Sequence, residues 1–294
     1  MGDESTASTG TGYPPERHFL RDLDSATWQI TAQRVLMWAP LTDGYRSAGG
    51  SAALGFLAAM VDIAAAPVAL IAGAPDWTAT QDMSLHAAGW LTDGPAVVDA
   101  RLERVGKNTV IVSVDIYDGG GTTDWDELSG AIDEGALELA AKGLLTFARI
   151  PRSASASASV FDPAALVGQR RTMAPDGPVE GTMLERTGVE VVDAEGAVVE
   201  IPHSEYVRNS FGTINGGVLG AVFQAAAEAA RPGLVATDLQ IHYLSQLKTG
   251  PARTSGSVSR DVAGHSIVSL RAVDAGNDDQ LLDLATVTLQ DPPG

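Results

Sequence analysis

Asp62 is the only ionisable residue in an apolar run of this 294-residue chain, Ala52 to Pro75. A carboxylate in such surroundings is partly desolvated. That raises its pKa and makes it a stronger base once ionised, able to activate water or to attack an acyl carbon directly. A second apolar run, Gly217 to Ala230, opens on the pair Gly216-Gly217. A glycine at a helix start lets a carbonyl approach a backbone N–H where the helix dipole favours negative charge. Both features also have plainer readings. A neighbouring hydroxyl or a buried water would satisfy Asp62, and the glycine pair would permit tight helix–sheet packing. His86 and His242 have rings suited to ligation or proton transfer. They recur at the same place in two alternating segments, which assigns them to packing.

Composition removes several function classes. With no cysteine there are no disulfides, thiolate zinc sites or cysteine nucleophile. No phosphate loop, dinucleotide fingerprint or clustered metal-ligand motif occurs, so no metal or cofactor is expected. A net charge of −18 argues against nucleic acid as a partner, which would require clustered Lys and Arg. The run from Ala52 to Pro75 is long enough to suggest a membrane span. However, it is rich in Ala and Gly, Pro67 interrupts it and Asp62 lies inside it; lipid penalises a central charge by roughly 3 kcal/mol. A helix buried within the protein is the expectation, with no membrane partner. Residues 1–15 are small and polar at first and are read as a disordered tail, without the pattern of a secretory leader.

The chain repeats itself. Asp82 and His86 match Asp238 and His242 at an offset of 156. That same shift pairs Gly94-Pro95 with Gly250-Pro251, Ile111-Val112-Ser113 with Ile267-Val268-Ser269, and Asp118 with Asp274. Upstream the offset is 162 and pairs Pro40 with Pro202, Arg46 with Arg208, Gly55 with Gly217 and Ala59 with Ala221. Two tandem copies are expected, at 16–150 and 179–291. The Ser/Ala- and Pro-bearing segment 151–178 joins them as a linker. Each copy is predicted to run strand (27–37; 188–201), helix (51–66; 217–230), then alternating strands (78–86, 96–104, 109–117; 235–243, 252–259, 266–273) and a closing strand (144–150; 282–289). The first copy inserts an acidic segment, 122–142, either a mobile loop or a short surface helix. One apolar helix per antiparallel sheet makes the class α+β, with each sheet wrapped around its helix.

The stretch Asn209-Ser-Phe-Gly-Thr-Ile-Asn215-Gly-Gly-Val-Leu resembles the N-x-x-G-x-x-H-G-G-x-L signature of hotdog-fold acyl-CoA thioesterases of the phenylacetate-pathway (PaaI-like) type. Gly196–Pro202 and Asp238–Tyr243 resemble the same family. In the first copy the glycine loop has drifted to Arg46-Ser-Ala-Gly-Gly-Ser51.

The resemblance implies tandem hotdog folds paired as an intramolecular pseudo-dimer, with a site where the two copies meet. Carried over residue by residue, it assigns the acid to Asp62, the hydroxyl to Thr80, the Asn position to Asn209, the His position to Asn215 and the N–H donor to Gly216. Gly217, Arg208 and Arg46 are the substrate-binding candidates. Thr80 also reads as an ordinary strand former, and Asn209 as a turn or cap residue. The opposite interface would hold Gln224, Ala236 and Ser47, which lack the acid and the hydroxyl. One competent site per chain is therefore expected. It would hydrolyse an acyl-CoA or related thioester without a cofactor, in a cytoplasmic protein open to further homo-oligomerisation. The competing readings are an acyl-CoA or lipid sensor without turnover and, last, a hydratase, whose Gly-Asp-x-Asn-Pro stretch is not found. Asparagine keeps a donor and an acceptor at position 215 but takes up no proton.

Overall fold

The computed structural model describes residues 13–152 and 162–292. A short α1 (Phe19–Asp22) leads into β1 (Ser25–Thr31), β2 (Arg34–Ala39), the helix α2 (Leu54–Gly73), β3 (Trp77–Ala87), β4 (Ala96–Val105), β5 (Thr109–Asp118), α3 (Trp125–Asp133) and β6 (Leu139–Ile150). Then follow β7 (Arg170–Met173), α4 (Met183–Thr187), β8 (Glu190–Asp193), β9 (Val198–Ile201), α5 (Gly216–Ala230), β10 (Val235–Tyr243), β11 (Ala252–Val262), β12 (His265–Asp274) and β13 (Gln280–Gln290). The strands form one continuous sheet in the order β7-β1-β2-β4-β5-β6-β3-β10-β13-β12-β11-β9-β8. Its first half wraps α2 and its second half wraps α5. The halves join where β3 and β10 pair antiparallel, with Asp238 opposite His86 and His242 opposite Asp82.

The repeat is visible in matching local devices. Asp118 accepts from the backbone N–H groups of Thr92, Asp93 and Gly94, and Asp274 does the same for Lys248, Thr249 and Gly250. The bridges Arg46–Ala52 and Arg208–Ile214 are likewise one position in two copies.

Several elements differ from expectation. The segment 27–37 is two strands, because Ala32 and Gln33 turn the chain and Thr31 Oγ1 accepts from Gln33 N at 3.1 Å. The segment 188–201 is also a hairpin, turned through Asp193 to Ala197; Asp193 accepts from Glu195 N, and Ala197 has φ 50°. Helix α2 continues through Pro67 to Gly73. An internal proline removes one main-chain bond, but a helix enclosed by sheet gains more from burial than it loses there. Although α2 is long and apolar enough to cross a membrane, its faces are covered by the protein's own sheet and by α5.

The acidic insertion holds α3, capped by Asp124, which accepts from Asp126 N and Glu127 N. It lays Leu128 and Ile132 on the outer face of the first half, against Leu36, Val97, Trp28 and Trp38. Its Asp133 joins buried Asp99 in holding Arg34 and Arg101. The expected linker contributes structure as well, since Arg170–Met173 pairs along β1 as an edge strand. Its residues 153–161, and 1–12 of the expected tail, lie outside the described residues. Tyr13 to Pro15 of that tail are packed rather than free: Arg21 donates to the Pro14 and Pro15 carbonyls.

The two helices meet at glycines. A Cβ on Gly217 would lie 2.4 Å from Ala59 Cα, and one on Gly55 would lie 2.3 Å from Ala221 Cα. Gly130, in α3, has open space around it. Gly217→Ala should therefore lower the unfolding free energy by about 1–3 kcal/mol, whereas Gly130→Ala should raise it by up to about 1 kcal/mol. Urea unfolding midpoints check both, and equal small effects would contradict the helix contact.

Candidate active site

Asp62 projects from the middle of α2 and is 7% exposed. Thr80, in β3 of the same copy, donates its hydroxyl to Asp62 Oδ1 at 2.7 Å. Gly217, in the first turn of α5 of the other copy, donates its N–H to Asp62 Oδ2 at 3.3 Å. Asn215 caps α5: its Oδ1 accepts from Gly217 N at 2.9 Å and from Val218 N at 3.3 Å. Asparagine is among the preferred residues for this cap. Burial pushes the Asp62 carboxyl above the ordinary carboxylate range, and the hydrogen bonds from Thr80, Gly217 and Asn215 partly oppose that rise.

The Gly216 N–H, first of α5, has no acceptor among the described residues. A Cβ on Gly216 would stand 3.3 Å from both Asp62 Oδ2 and the Tyr243 hydroxyl, so glycine keeps open the space between those groups. Tyr243, at the end of β10, donates its hydroxyl to the Gly216 carbonyl at 2.8 Å. Burial and the nearby Asp62 and Asp283 carboxyls push the Tyr243 phenol well above its ordinary value. Tyr13 lies over the same loop: its hydroxyl donates to the Arg208 carbonyl at 3.4 Å. Burial, with Asp62 adding to it, pushes the Tyr13 phenol up to about 12.

Asp62, Thr80, Asn215, Gly216 and Gly217 thus converge. Other candidates take different places. Asn209 holds the loop, its Oδ1 accepting from Phe211 N and Thr213 N, which fits its turn reading. Arg208 pairs with Glu205 at 2.9 Å. Arg46 belongs to the opposite interface, where it donates to the carbonyls of Gly50 and Thr92; the first-copy loop uses it as a brace. Gly217 serves the helix contact and the Asp62 bond together. His86 and His242 are not core packing residues. They are exposed on the outer face, where His86 Nδ1 meets Asp238 at 2.9 Å and His242 pairs with Asp82, stitching the two copies across the β3–β10 seam.

At the opposite interface Gln224 Oε1 accepts from Gly55 N at 2.6 Å, the counterpart of the Gly217–Asp62 bond. Gln224 Nε2 donates to Glu228 at 2.9 Å, and Glu228 also accepts from Ala236 N at 3.0 Å. Burial pushes Glu228 upward. The sequence reading missed Glu228, Tyr13, Tyr243 and Asp283. Inward alternation along β10 and β13 marks the last two, and a lone acid in an Ala-rich helix marks the first.

No protein-family model matches the chain, and no curated protein matches it in sequence. Solved structures share its fold. The 12:0-ACP thioesterase from Umbellularia californica has a TM-score of 0.56 at 8% identity, over 87% of this chain and 94% of that one. The tesB protein of Mycobacterium avium subs paratuberculosis gives 0.53 at 11% identity, over 91% and 96%. A hot dog fold protein of unknown function from Alicyclobacillus acidocaldarius gives 0.53 at 12%, over 88% and 92%. At such identities the likeness carries the fold: the chain is a double hotdog, the two halves of one antiparallel sheet each wrapped on a helix.

The raised Asp62 carboxyl has a stability consequence. Its proton is held more tightly folded than unfolded, so the destabilising ionisation is absent below the unfolded value near 3.9 and develops as pH rises through the folded value. Asp62→Asn should therefore gain on the wild type as pH rises from about 4 to 8. Thermal midpoints of both proteins across that range check this, and a pH-independent difference would refute it.

Proposed function

We propose that the chain is a thioester hydrolase with one composite site, acting on an acyl-CoA or a related acyl thioester. The observation that carries this is the carboxylate of one copy hydrogen-bonded to the helix start of the other, Asp62 to Gly217 N at 3.3 Å, beside a Gly216 N–H with no acceptor among the described residues. The resemblance of Asn209–Leu219 to the PaaI-like signature supports the same reading. So do similar folds whose names include thioesterase, although fold alone does not fix chemistry.

In the proposed reaction the thioester carbonyl lies with its oxygen toward the Gly216 N–H. Water, oriented by Thr80 and Asp62, adds to the carbonyl carbon while Asp62 accepts its proton. The oxyanion that forms is held by the N–H and the positive end of α5. The C–S bond then breaks, the thiol takes the proton back from Asp62, and the carboxylic acid leaves. Direct attack by Asp62 followed by hydrolysis of the anhydride is the covalent variant of the same scheme. Neither route calls for a metal or a cofactor. Asn215 fixes the helix start and the carboxylate without titrating.

Free thiol release from acyl-CoA, followed with a thiol reagent, tests the reading, and a chain without cysteine gives no background. Turnover is expected, with Asp62→Asn lowering it by at least about 10². Tight acyl-CoA binding with no thiol release would overturn hydrolysis in favour of a sensor. The two copies supply different groups, so either half produced alone should be inactive. Full activity from an isolated half would refute the composite site.

A further inference from the structure

Asp283 belongs to no step of that mechanism, yet it is 1% exposed on the inner face of β13, and its Oδ2 has no hydrogen-bond partner among the described residues. Directly opposite it in register is Tyr243 on β10, and on its other side is Ala272 on β12. Tyr243 reaches the Gly216 carbonyl at 2.8 Å, so Asp283 lies one residue behind the wall of the candidate site. The first copy shows what this row looks like without a polar group. Its register gives Ala87, Ala141 and Ile116 where the second copy has Tyr243, Asp283 and Ala272. The acid therefore arrives with a smaller neighbour, Ala272 for Ile116, and only on the side of the molecule that holds Asp62. A buried carboxyl left without a partner is costly, and burial pushes its pKa well above the ordinary value. Structure alone gives no reason to keep it, since the other copy fills the same place with alanine.

We propose that Asp283 is a substrate-reading residue, its carboxyl taking a hydrogen-bond donor of the thioester. The donor is either a hydroxyl on the acyl chain or the amide N–H nearest the sulfur on the thiol side. The proposal rests on the hydrolase reading for the identity of the ligand. It differs from that reading in assigning selectivity, not bond cleavage, to Asp283.

Four probes separate the two sources: butanoyl and β-hydroxybutanoyl thioesters, each of N-acetylcysteamine and of n-pentanethiol. The wild type should prefer the probe carrying the donor. Asp283→Ala should shrink that preference in kcat/KM by about 10-fold, the effect of losing one buried hydrogen bond. Loss of the hydroxyl preference assigns the acyl source, and loss of the amide preference assigns the thiol source. Asp283→Asn keeps an acceptor oxygen and should retain most of the preference. Asp283→Leu, closer in volume, replaces the alanine variant if that one does not fold. Preferences unchanged in the apolar variants, or all four probes lowered by one common factor, would overturn the proposal. The hydrolase reading stands or falls separately, on thiol release from acyl-CoA. If the wild type binds these short probes without turning them over, the same preferences are read from dissociation constants measured by calorimetry, which decide the Asp283 proposal by themselves.

Discussion

The close crossing of α2 and α5 fixes nearly everything else in the site. Gly217 touches the Ala59 backbone, and Asp62 is three residues further along α2, on the same helix face. With no side chain at 217, the start of α5 sits low enough on α2 for its N–H to reach the carboxylate. The pseudo-equivalent crossing at Gly55 and Ala221 places Gln224 against Gly55 N by the same geometry. One steric condition, glycine at the helix start, thus generates two matching helix-to-side-chain bonds. The residue type at 62 and 224 decides whether each end is a carboxylate or an amide.

The double hotdog has used that freedom unevenly. On one side the acid is accompanied by Thr80, the Asn215 cap, Tyr243 and Asp283. The corresponding first-copy and second-copy positions carry Ala236, Ala53, Ala87 and Ala141. On the other side Gln224 accepts from Gly55 N and donates to Glu228, which in turn accepts from the Ala236 N–H, so the polar groups satisfy one another. A closed network of this kind stabilises and fixes geometry. The first N–H of each helix, Leu54 and Gly216, has no acceptor among the described residues, and only the Asp62 side adds a buried carboxyl oxygen without a donor among them, at Asp283. Unmatched polar groups near a buried acid are what a binding site requires and what a purely structural interface avoids.

Much of the fold was legible because a duplicated chain gives two readings of each element. The paired offsets located the helices and marked β3 and β10, and Asp118 and Asp274, as counterparts; that the two strands pair and that the two acids anchor loops comes from the structure. Hairpins at 32–33 and 193–197 escaped notice since their turns use no Asn-Gly or Gly-Gly pair, the strongest short-range signal. Helix α2 outran its expected end because the burial of Val68 and Ala69 in the core beyond Pro67 outweighs the one main-chain bond lost there. Within the site, Asp62 and the Gly216-Gly217 start stood out from their apolar surroundings. Tyr13, Tyr243 and Asp283 did not, because their roles depend on which strands become neighbours. Asn209 was legible as a turn residue, but the bracing role of Arg46 was not, since a polar side chain in a glycine-rich loop can turn inward or back onto its own backbone.

Asn215 carries a consequence for the proposed chemistry. Its side-chain oxygen is bound to two helix N–H groups, and the side chain acts against burial by lowering the pKa of the Asp62 carboxyl. A titrating side chain there would bring a proton and, when charged, would stabilise the ionised carboxylate, lowering its basicity. Asparagine supplies the cap and the hydrogen bond without that charge, so burial remains the dominant influence on Asp62. In the proposed reaction the arrangement would concentrate proton transfer on one group, the Asp62 carboxyl taking the proton of water and returning it to the departing thiolate.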